Sequence, residues 1–446
     1  MDFISNSSEQ QEEMLKAIGV ASIEELFSAI PEAIRLAKRS EEDGLSELEG
    51  MRLMESIASQ NSYYQFDSYL GAGAYAHHVP ALVAAICSKS EFLTSYTPYQ
   101  PEASQGMLQV IFEFQTAICA LTGMDVSNAS LYDGASACAE AVLMSLRINK
   151  SRNKILVAKS VHPHYKEVIQ QYAGNNIVEV PYTSDNSIDH DAFNQLLIAD
   201  TALFLLQSPN VFGLVEEAKK LFSLAHEKGV ITILCANPLS YGLFASAAEV
   251  GADIAVGDCQ PFGLPLNFGG PYAGYLACKK EFMRQLPGRI VGETKDAEGK
   301  RGYVLTLQAR EQHIRREKAT SNVCTNQALA ALASLVAILW YGKKGVAELA
   351  LTNYQRAAYL RQQLSAIPGV KAQGNNGYFN EFVLAFDKPI EDTINYFKSK
   401  GILPGFPLKE WYPSHKNSLL VCVTELKTKA QLDHYVEVSK SYAKHF

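Results

Sequence analysis

Two short runs of this 446-residue chain carry side chains that chemistry could use. In the first, Tyr96, Thr97, Tyr99, Gln100 and Glu102 stand together, with Pro98 and Pro101 between them. Prolines fix φ and stiffen a loop, and a stiff loop presenting two phenols and a carboxylate reads as a binding or catalytic surface. In the second, Arg315, Arg316 and Lys318 precede Thr320, Ser321 and Asn322. Cations beside short polar side chains suit a phosphate or carboxylate oxygen, received by charge-assisted hydrogen bonds. The plainer reading of both runs is interface packing and ion pairing, since interfaces also favour Tyr and Arg.

Other candidates are weaker. His77–His78, and His162 with His164, lack the i, i+4 spacing of helical metal ligands, and no thiol or carboxylate set completes a site. Structural or interface histidines are expected. The eight cysteines are scattered with no C-x-x-C pair, the pattern of reduced, mostly buried thiols. GAGAY (71–75) is half of a dinucleotide fingerprint, without the third glycine or a preceding apolar strand. LYDGASACAEA (131–141) is strand-turn-helix in character, with Gly134 and Ser136 at the helix start. Backbone N–H groups there could bind an anion, although closing a turn is the preferred reading. Gly269-Gly270-Pro271 reads as a tight turn between strands.

The elements that must position these groups follow from periodicity. Residues 9–60 place apolar side chains at helical spacing, with breaks at Gly19 and Pro31 and a capping-box spacing at Ser22 and Glu25. A helix is expected over Leu108–Leu121. Short apolar runs then read as buried parallel strands: Ile155–Ala158, Ile177–Val180, Leu203–Leu206, Val230–Leu234, Ile254–Val256 and Tyr275–Ala277. Helices such as Tyr165–Tyr172 and Glu216–Glu227 alternate with them, so a mostly parallel sheet covered on both faces is expected, with ligands at the carboxyl ends of its strands. After a basic loop at 308–318, a helical region runs from Asn326 to about Ser365. A small α/β unit follows: strand Phe382–Phe386, helix Glu391–Lys400, strand Ser418–Val423 and helix Lys429–Tyr442.

Composition sets the class. Hydrophobic residues are 47% and charged residues 20% of the chain, an ordinary globular balance. A net charge of -7 argues against nucleic acid. The acidic start MDFISNSSEQQEEML is no signal peptide. The apolar stretch Ala328–Tyr341 falls short of the ~20 residues of a membrane span. A cytoplasmic protein with no membrane association is expected.

The long segments YLGAGAYAHHVP (69–80), TSYTPYQPEASQGMLQVIFEFQT (94–116), LTGMDVSNASLYDGASACAEA (121–141), GGPYAGY (269–275), PGRIVGET (287–294) and LQAREQHIRREKATSNVCTNQAL (307–329) closely resemble the glycine cleavage system P-protein, and within it subunit 1 (the alpha chain) of the split bacterial form. The resemblance covers essentially the whole chain. It implies an aspartate-aminotransferase-like α/β fold (fold type I pyridoxal-phosphate transferase), with an N-terminal helical arm (1–70), a large domain (71–325), and a connecting helix with a small C-terminal α/β domain (326–446).

The resemblance also locates two missing groups. Where the catalytic chain of the family carries His-Lys, this one has Cys259 and Gln260. An amide nitrogen, its lone pair delocalised, neither attacks an aldehyde nor titrates as an amine. Where the family places the aspartate that pairs with the pyridinium nitrogen, this chain has Leu234 and Cys235, then Ala236 and Asn237. The implied function is that of a non-catalytic subunit of the decarboxylating glycine dehydrogenase. Subunit 2 (the beta chain) would hold pyridoxal phosphate covalently, decarboxylate glycine and pass the aminomethyl group to lipoylated H-protein, in a heterotetramer. Tyr96, Thr97, Tyr99, Gln100, Glu102, Arg315, Lys318, Thr320, Ser321 and Asn322 are the candidates for reaching into the partner's active site. Two alternatives stand: a pure scaffold or docking subunit, and a stand-alone pyridoxal-phosphate enzyme using Lys279 or Lys318.

Overall fold

Buried parallel strands need both faces covered, and the apolar runs of this chain are arranged to provide that. The structure, a computed structural model, describes residues 6–35, 44–267, 269–375 and 377–444. It divides into two compact units, Met1–Ser62 and Tyr63–Phe446.

The first unit contains helices α1 (Ser8–Ile18) and α2 (Glu47–Ala58), with short 3₁₀ turns between them. α1 opens on a capping box of Ser7 with Gln10 and closes on Gly19 in the left-handed conformation; α2 opens on a capping box of Ser46 with Glu49. The box expected at Ser22 and Glu25 does not form. Ile23–Phe27 closes as a 3₁₀ turn, whose tighter winding takes the third amide away from the cap position, and Glu25 accepts from Ala21 N instead. Neither α1 nor α2 buries a residue; Met14, Ile18, Met51 and Met54 lie exposed.

The second unit is built on a seven-stranded sheet: β1 (Val126–Ser127), β2 (Lys154–Ala158), β3 (Ile177–Val180), β4 (Thr201–Gln207), β5 (Ile231–Cys235), β6 (Ile254–Asp258) and β7 (Gly274–Cys278). Their spatial order is β1-β7-β6-β5-β4-β2-β3. β6, β5, β4, β2 and β3 run parallel. β7, expected to be parallel, is antiparallel to β6, with Asp258 opposite Gly274 and Ile254 opposite Cys278. An apolar strand buried on both faces gives no sign of its direction; the long 259–273 connection returns the chain at the same end of the sheet. Gly269-Gly270-Pro271 therefore turns within that connection and does not join the strands tightly.

Helices α3 (Gln105–Thr122), α4 (Gly134–Ile148), α5 (Pro163–Ala173) and α6 (Ala218–Glu227) contribute to the sheet's core. A hairpin of β8 (Ile290–Lys295) and β9 (Arg301–Thr306) packs on α3. The 38-residue α7 (Ala328–Ser365) breaks at Gly342 (φ 59°, ψ 179°). By length and composition alone α7 could cross a membrane, but 44% of its most apolar stretch is buried in this fold, Ala331, Leu332 and Leu335 in the main core. A four-stranded antiparallel sheet, in the order β10 (Val370–Ala372), β11 (Glu381–Phe386), β13 (Ser418–Cys422), β12 (Phe406–Pro407), forms a second core with α8 (Ile390–Ser399) and α9 (Lys429–Lys444).

The loop after β4 and strand β11 come into backbone contact. A Cβ on Gly213 (φ +84°) would lie 2.1 Å from the Glu381 carbonyl oxygen. Gly213→Ala is therefore expected to lower unfolding free energy by about 3 kcal/mol or more. Gly299→Ala, at φ +81° with nothing within 4 Å, should lose only about 1 kcal/mol. Urea denaturation of the two variants checks the contrast.

Candidate functional site

The carboxyl ends of β2, β4, β5 and β6 meet the amino end of α4 and the strap of residues 69–80. Around that meeting point lies a cavity of only ≈ 40 Å³, lined by Tyr75, His162, Tyr165, Asn237, Asp258 and Glu381 among others. Cofactor pockets are typically ~300–1,000 Å³. The space here suits a few waters, and beside it opens a roomier cavity of ≈ 690 Å³ that shares Gly73, His162, Tyr165 and Asp258 and reaches Tyr132, His164 and Gln327.

Gln260, just beyond β6, explains much of the closure. It is fully buried, and its amide pairs with the strap as a peptide would. Nε2 donates to Tyr75 O at 2.7 Å and to Leu264 O at 3.0 Å, while Oε1 accepts from Tyr75 N at 2.8 Å. Both donors and the acceptor are used. A lysine has three donors and no acceptor, so it would leave the Tyr75 N–H without its partner.

The amino end of α4 is closed by the chain's own anions. Asp133 caps it, accepting from Ser136 N at 2.7 Å, and Asp258 Oδ2 accepts from Gly134 N at 2.9 Å. The Tyr165 ring packs over the same turn; a Cβ on Gly134 would lie 2.5 Å from its hydroxyl. The backbone groups that could have received a phosphate are thus satisfied by carboxylates, in keeping with the turn-closing reading. Burial pushes the Asp258 carboxyl up to about 7 against the hydrogen bonds that lower it, and does the same to Glu381. Glu381 accepts from Ala72 N at 2.7 Å and from Tyr75 Oη at 2.8 Å. His162 is held neutral, its imidazole lowered to about 4 by burial, with Nε2 against Ala72 O at 2.9 Å.

At the end of β5 the side chains alternate. Cys235 lines the cavity, whereas Leu234 lines a separate pocket on the other side of the sheet. Of the two sequence candidates for the pyridine-partner position, only Cys235 reaches the cavity, and it carries no carboxylate to pair with a pyridinium. Pyridoxal phosphate does not fit these residues. The amine is an amide, the phosphate seat is taken by two carboxylates, and the cavity lining includes no Lys or Arg.

The other lysines stand elsewhere. Lys279 directly follows β7, level with the start of β6, and pairs with Asp253. That is the edge of the sheet opposite the cavity, five residues or ~17 Å away along the strand. Lys318 is exposed on the 308–322 segment. His77 Nδ1 lies 2.8 Å from Glu425, whose other oxygen accepts from His78 N, a structural role for that pair. No cluster of metal-ligating side chains occurs among the described residues.

The two polar runs lie outside the cavity, but they meet one another. Tyr96 is 85% exposed and Tyr99 half exposed; Gln100, Glu102, Arg315, Lys318 and Asn322 are exposed, and Thr97, Thr320 and Ser321 partly buried. The Tyr99 and His313 rings stand edge to face at 5.6 Å. The expected basic loop winds as short helical turns, Gln312–Arg315 and Arg316–Lys318, and Ser321 Oγ accepts from Val323 N. Sequence reasoning missed Tyr165, Glu381 and Arg289. Only Asp258, two residues before Gln260, had a local signal.

Two expectations follow from the cavity. Gln260→Lys should destabilise the fold by about 2–4 kcal/mol through the orphaned Tyr75 N–H and a buried ammonium. It should give no borohydride-fixed adduct with pyridoxal phosphate; a stoichiometric adduct would refute the closed seat. For Glu381 the ordinary value is 4.5 and the folded value about 7, so the folded state holds more protons between those pH values. Its contribution to stability is complete below 4.5 and is lost as pH rises through about 7. Glu381→Gln should flatten that decline in denaturation midpoints measured from pH 4.5 to 7.5.

Comparison with known proteins places these features in a family. The family model described as "Glycine cleavage system P-protein" matches residues 1–438. A probable glycine dehydrogenase (decarboxylating) subunit 1 of Protochlamydia amoebophila is 61% identical over 443 residues, covering 99% of each chain. Its namesake in Desulfitobacterium hafniense is 48% identical over 441 residues, with 98% of each covered. Among solved structures, an inhibitor-bound glycine decarboxylase (P-protein) of the glycine cleavage system superposes with a TM-score of 0.89 at 39% identity, over 99% of this chain and 100% of that one. A sphingosine-1-phosphate lyase of Burkholderia pseudomallei shares the fold alone, at 16% identity and a TM-score of 0.70 over 94% of each chain.

Proposed function

The chain belongs to the glycine cleavage system P-protein family, and from that premise we propose that it is the subunit of the decarboxylating glycine dehydrogenase that holds no cofactor of its own. The observation carrying this reading is the Gln260 amide, fully bonded to Tyr75 and Leu264. Gln260 stands where the family's catalytic chain has its lysine, and Cys235 where that chain has its pyridine-pairing aspartate. A second subunit, the beta chain, carries pyridoxal phosphate, which supplies the electron sink for decarboxylating glycine. Lipoylated H-protein takes the aminomethyl group. The setting is cytoplasmic.

This chain's share is to complete the partner's pocket. Tyr96, Thr97, Tyr99, Gln100 and Glu102 present phenols and polar groups from one loop, and Arg315, Lys318, Thr320, Ser321 and Asn322 present cations and short polar groups from the other. Exposure supports their availability, since a phenol held 85% in solvent on a proline-stiffened loop serves no packing purpose within its own chain. Exposed apolar side chains support a subunit built for assembly, among them Phe27 on the arm and Leu339 and Trp340 on α7. A heterotetramer of two such chains and two catalytic ones accommodates these features.

The test uses the complex reconstituted from both subunits and glycine–bicarbonate exchange. Tyr96→Phe and Lys318→Ala should each lower turnover by about 10-fold or more with assembly unchanged. Unaltered turnover in both would leave only the scaffold reading. The chain purified alone should be inactive and show no aldimine absorbance that borohydride fixes to it; a fixed chromophore would favour a stand-alone enzyme.

A further inference from the structure

One buried group belongs to neither the inner cavity nor the exposed loops, yet it ties the first loop to the residues that directly follow the second. Arg289 lies just before β8 and is 3% exposed. No carboxylate lies within ion-pair distance of it among the described residues. Nη2 donates to Tyr99 Oη at 3.2 Å and to the Cys324 carbonyl, and Nη1 reaches Asn326 Oδ1 at 3.4 Å. The guanidinium carbon stands 5.3 Å from the centroid of the Tyr99 ring. Asn326 is itself tied down, donating to Ala129 O and to Ser130 Oγ beside the start of α4.

Burying a cation without a counter-ion costs several kcal/mol, which a stacked ring and carbonyl acceptors offset only in part. An apolar side chain of similar volume would serve packing better. What it could not do is reach a phenol, a carbonyl and an amide at once, which needs the planar, multi-donor fork of arginine. The groups so joined come from position 99 in the first run and from positions 324 and 326, directly after the second run ends at Asn322.

We propose that Arg289 is a positioning residue for the composite active site. It fixes the Tyr99 ring and phenol relative to Cys324 and Asn326, the stretch on which the 308–322 segment ends, so that both loops enter the partner's pocket in one register. This rests on the reading that the loops contribute to that pocket, and the experiment separates the two ideas. Arg289→Gln, Arg289→Lys, Tyr99→Phe and the double variant Arg289→Gln/Tyr99→Phe are assembled with the catalytic subunit, and kcat and KM for glycine are measured by bicarbonate exchange.

For Arg289→Gln, kcat should fall about 30-fold while KM changes less than about 3-fold, since misplacement by about an ångström acts on the reacting geometry. Arg289→Lys should not restore it, because charge alone is insufficient. The double variant should be within about 2-fold of the worse single one, as coupled groups are not additive. Should Arg289→Gln fail to assemble, Arg289→Lys retains the cation and its stem and carries the same test. Wild-type kcat in Arg289→Lys, or losses that multiply in the double variant, would overturn the proposal. A loss in Tyr99→Phe with none at Arg289 overturns it alone and leaves the loop reading intact. Full activity in every variant, Tyr96→Phe included, overturns both.

Discussion

The buried backbone of the strap has to be hydrogen-bonded, and that requirement organises the site. A peptide group taken out of water and left unpaired costs as much as a lost hydrogen bond. Residues 69–80 run past the carboxyl ends of the main sheet with no neighbouring strand over most of their length, so side chains must supply the partners. Gln260 gives and accepts at Tyr75, Glu381 accepts at Ala72, His162 meets Ala72 O, and Thr424 donates to Ala76 O. Each comes from a different part of the chain, and together they close the inner part of the crevice where an open α/β sheet ordinarily receives its ligand. Gln260 does more than lack an amine. Its amide supplies both the donor and the acceptor that the Tyr75 backbone needs.

Electrostatics reinforce the closure. The positive end of α4 attracts an anion, and the chain provides two from its own sequence. Once Asp133 and Asp258 are seated there, a phosphate would meet repulsion where it would otherwise be welcomed. Burial raises the Asp258 and Glu381 carboxyls to about 7 and lowers His162 to about 4, so the carboxylates lining the small cavity are only partly ionised at neutral pH and the imidazole is uncharged. Such a space tolerates a few waters and little else.

The exposed polar groups of this chain lie outside the inner cavity. The 94–104 and 308–322 segments lie away from the sealed cavity and close to each other, with Arg289 behind them. This division supports the proposed reading of a subunit that positions groups for a partner. The closed crevice makes a firm platform, and rigid platforms place distant side chains more accurately than mobile ones. The arm likewise keeps apolar side chains exposed, Met14, Ile18, Phe27 and Met54 among them.

Much of this was legible from residue order. Strands β2 to β6 and helices α3, α5, α6, α8 and α9 were found close to their observed bounds, because short apolar runs and 3.6-residue periodicity are local properties. The β8–β9 hairpin was missed, since IVGETK and RGYVLT mix charge and glycine into their alternation. The direction of β7 was missed because a strand buried on both faces has no polarity to read. That Gln260 cannot act as an amine was settled by the sequence alone, because nucleophilicity is a property of the functional group itself. What the amide does instead, which carboxylate occupies the α4 terminus, and that Arg289 joins Tyr99 to Cys324 and Asn326 were decided only by tertiary structure. Burial and hydrogen-bond partnership depend on neighbours that lie up to hundreds of residues away along the chain, and only folding brings them within 3 Å.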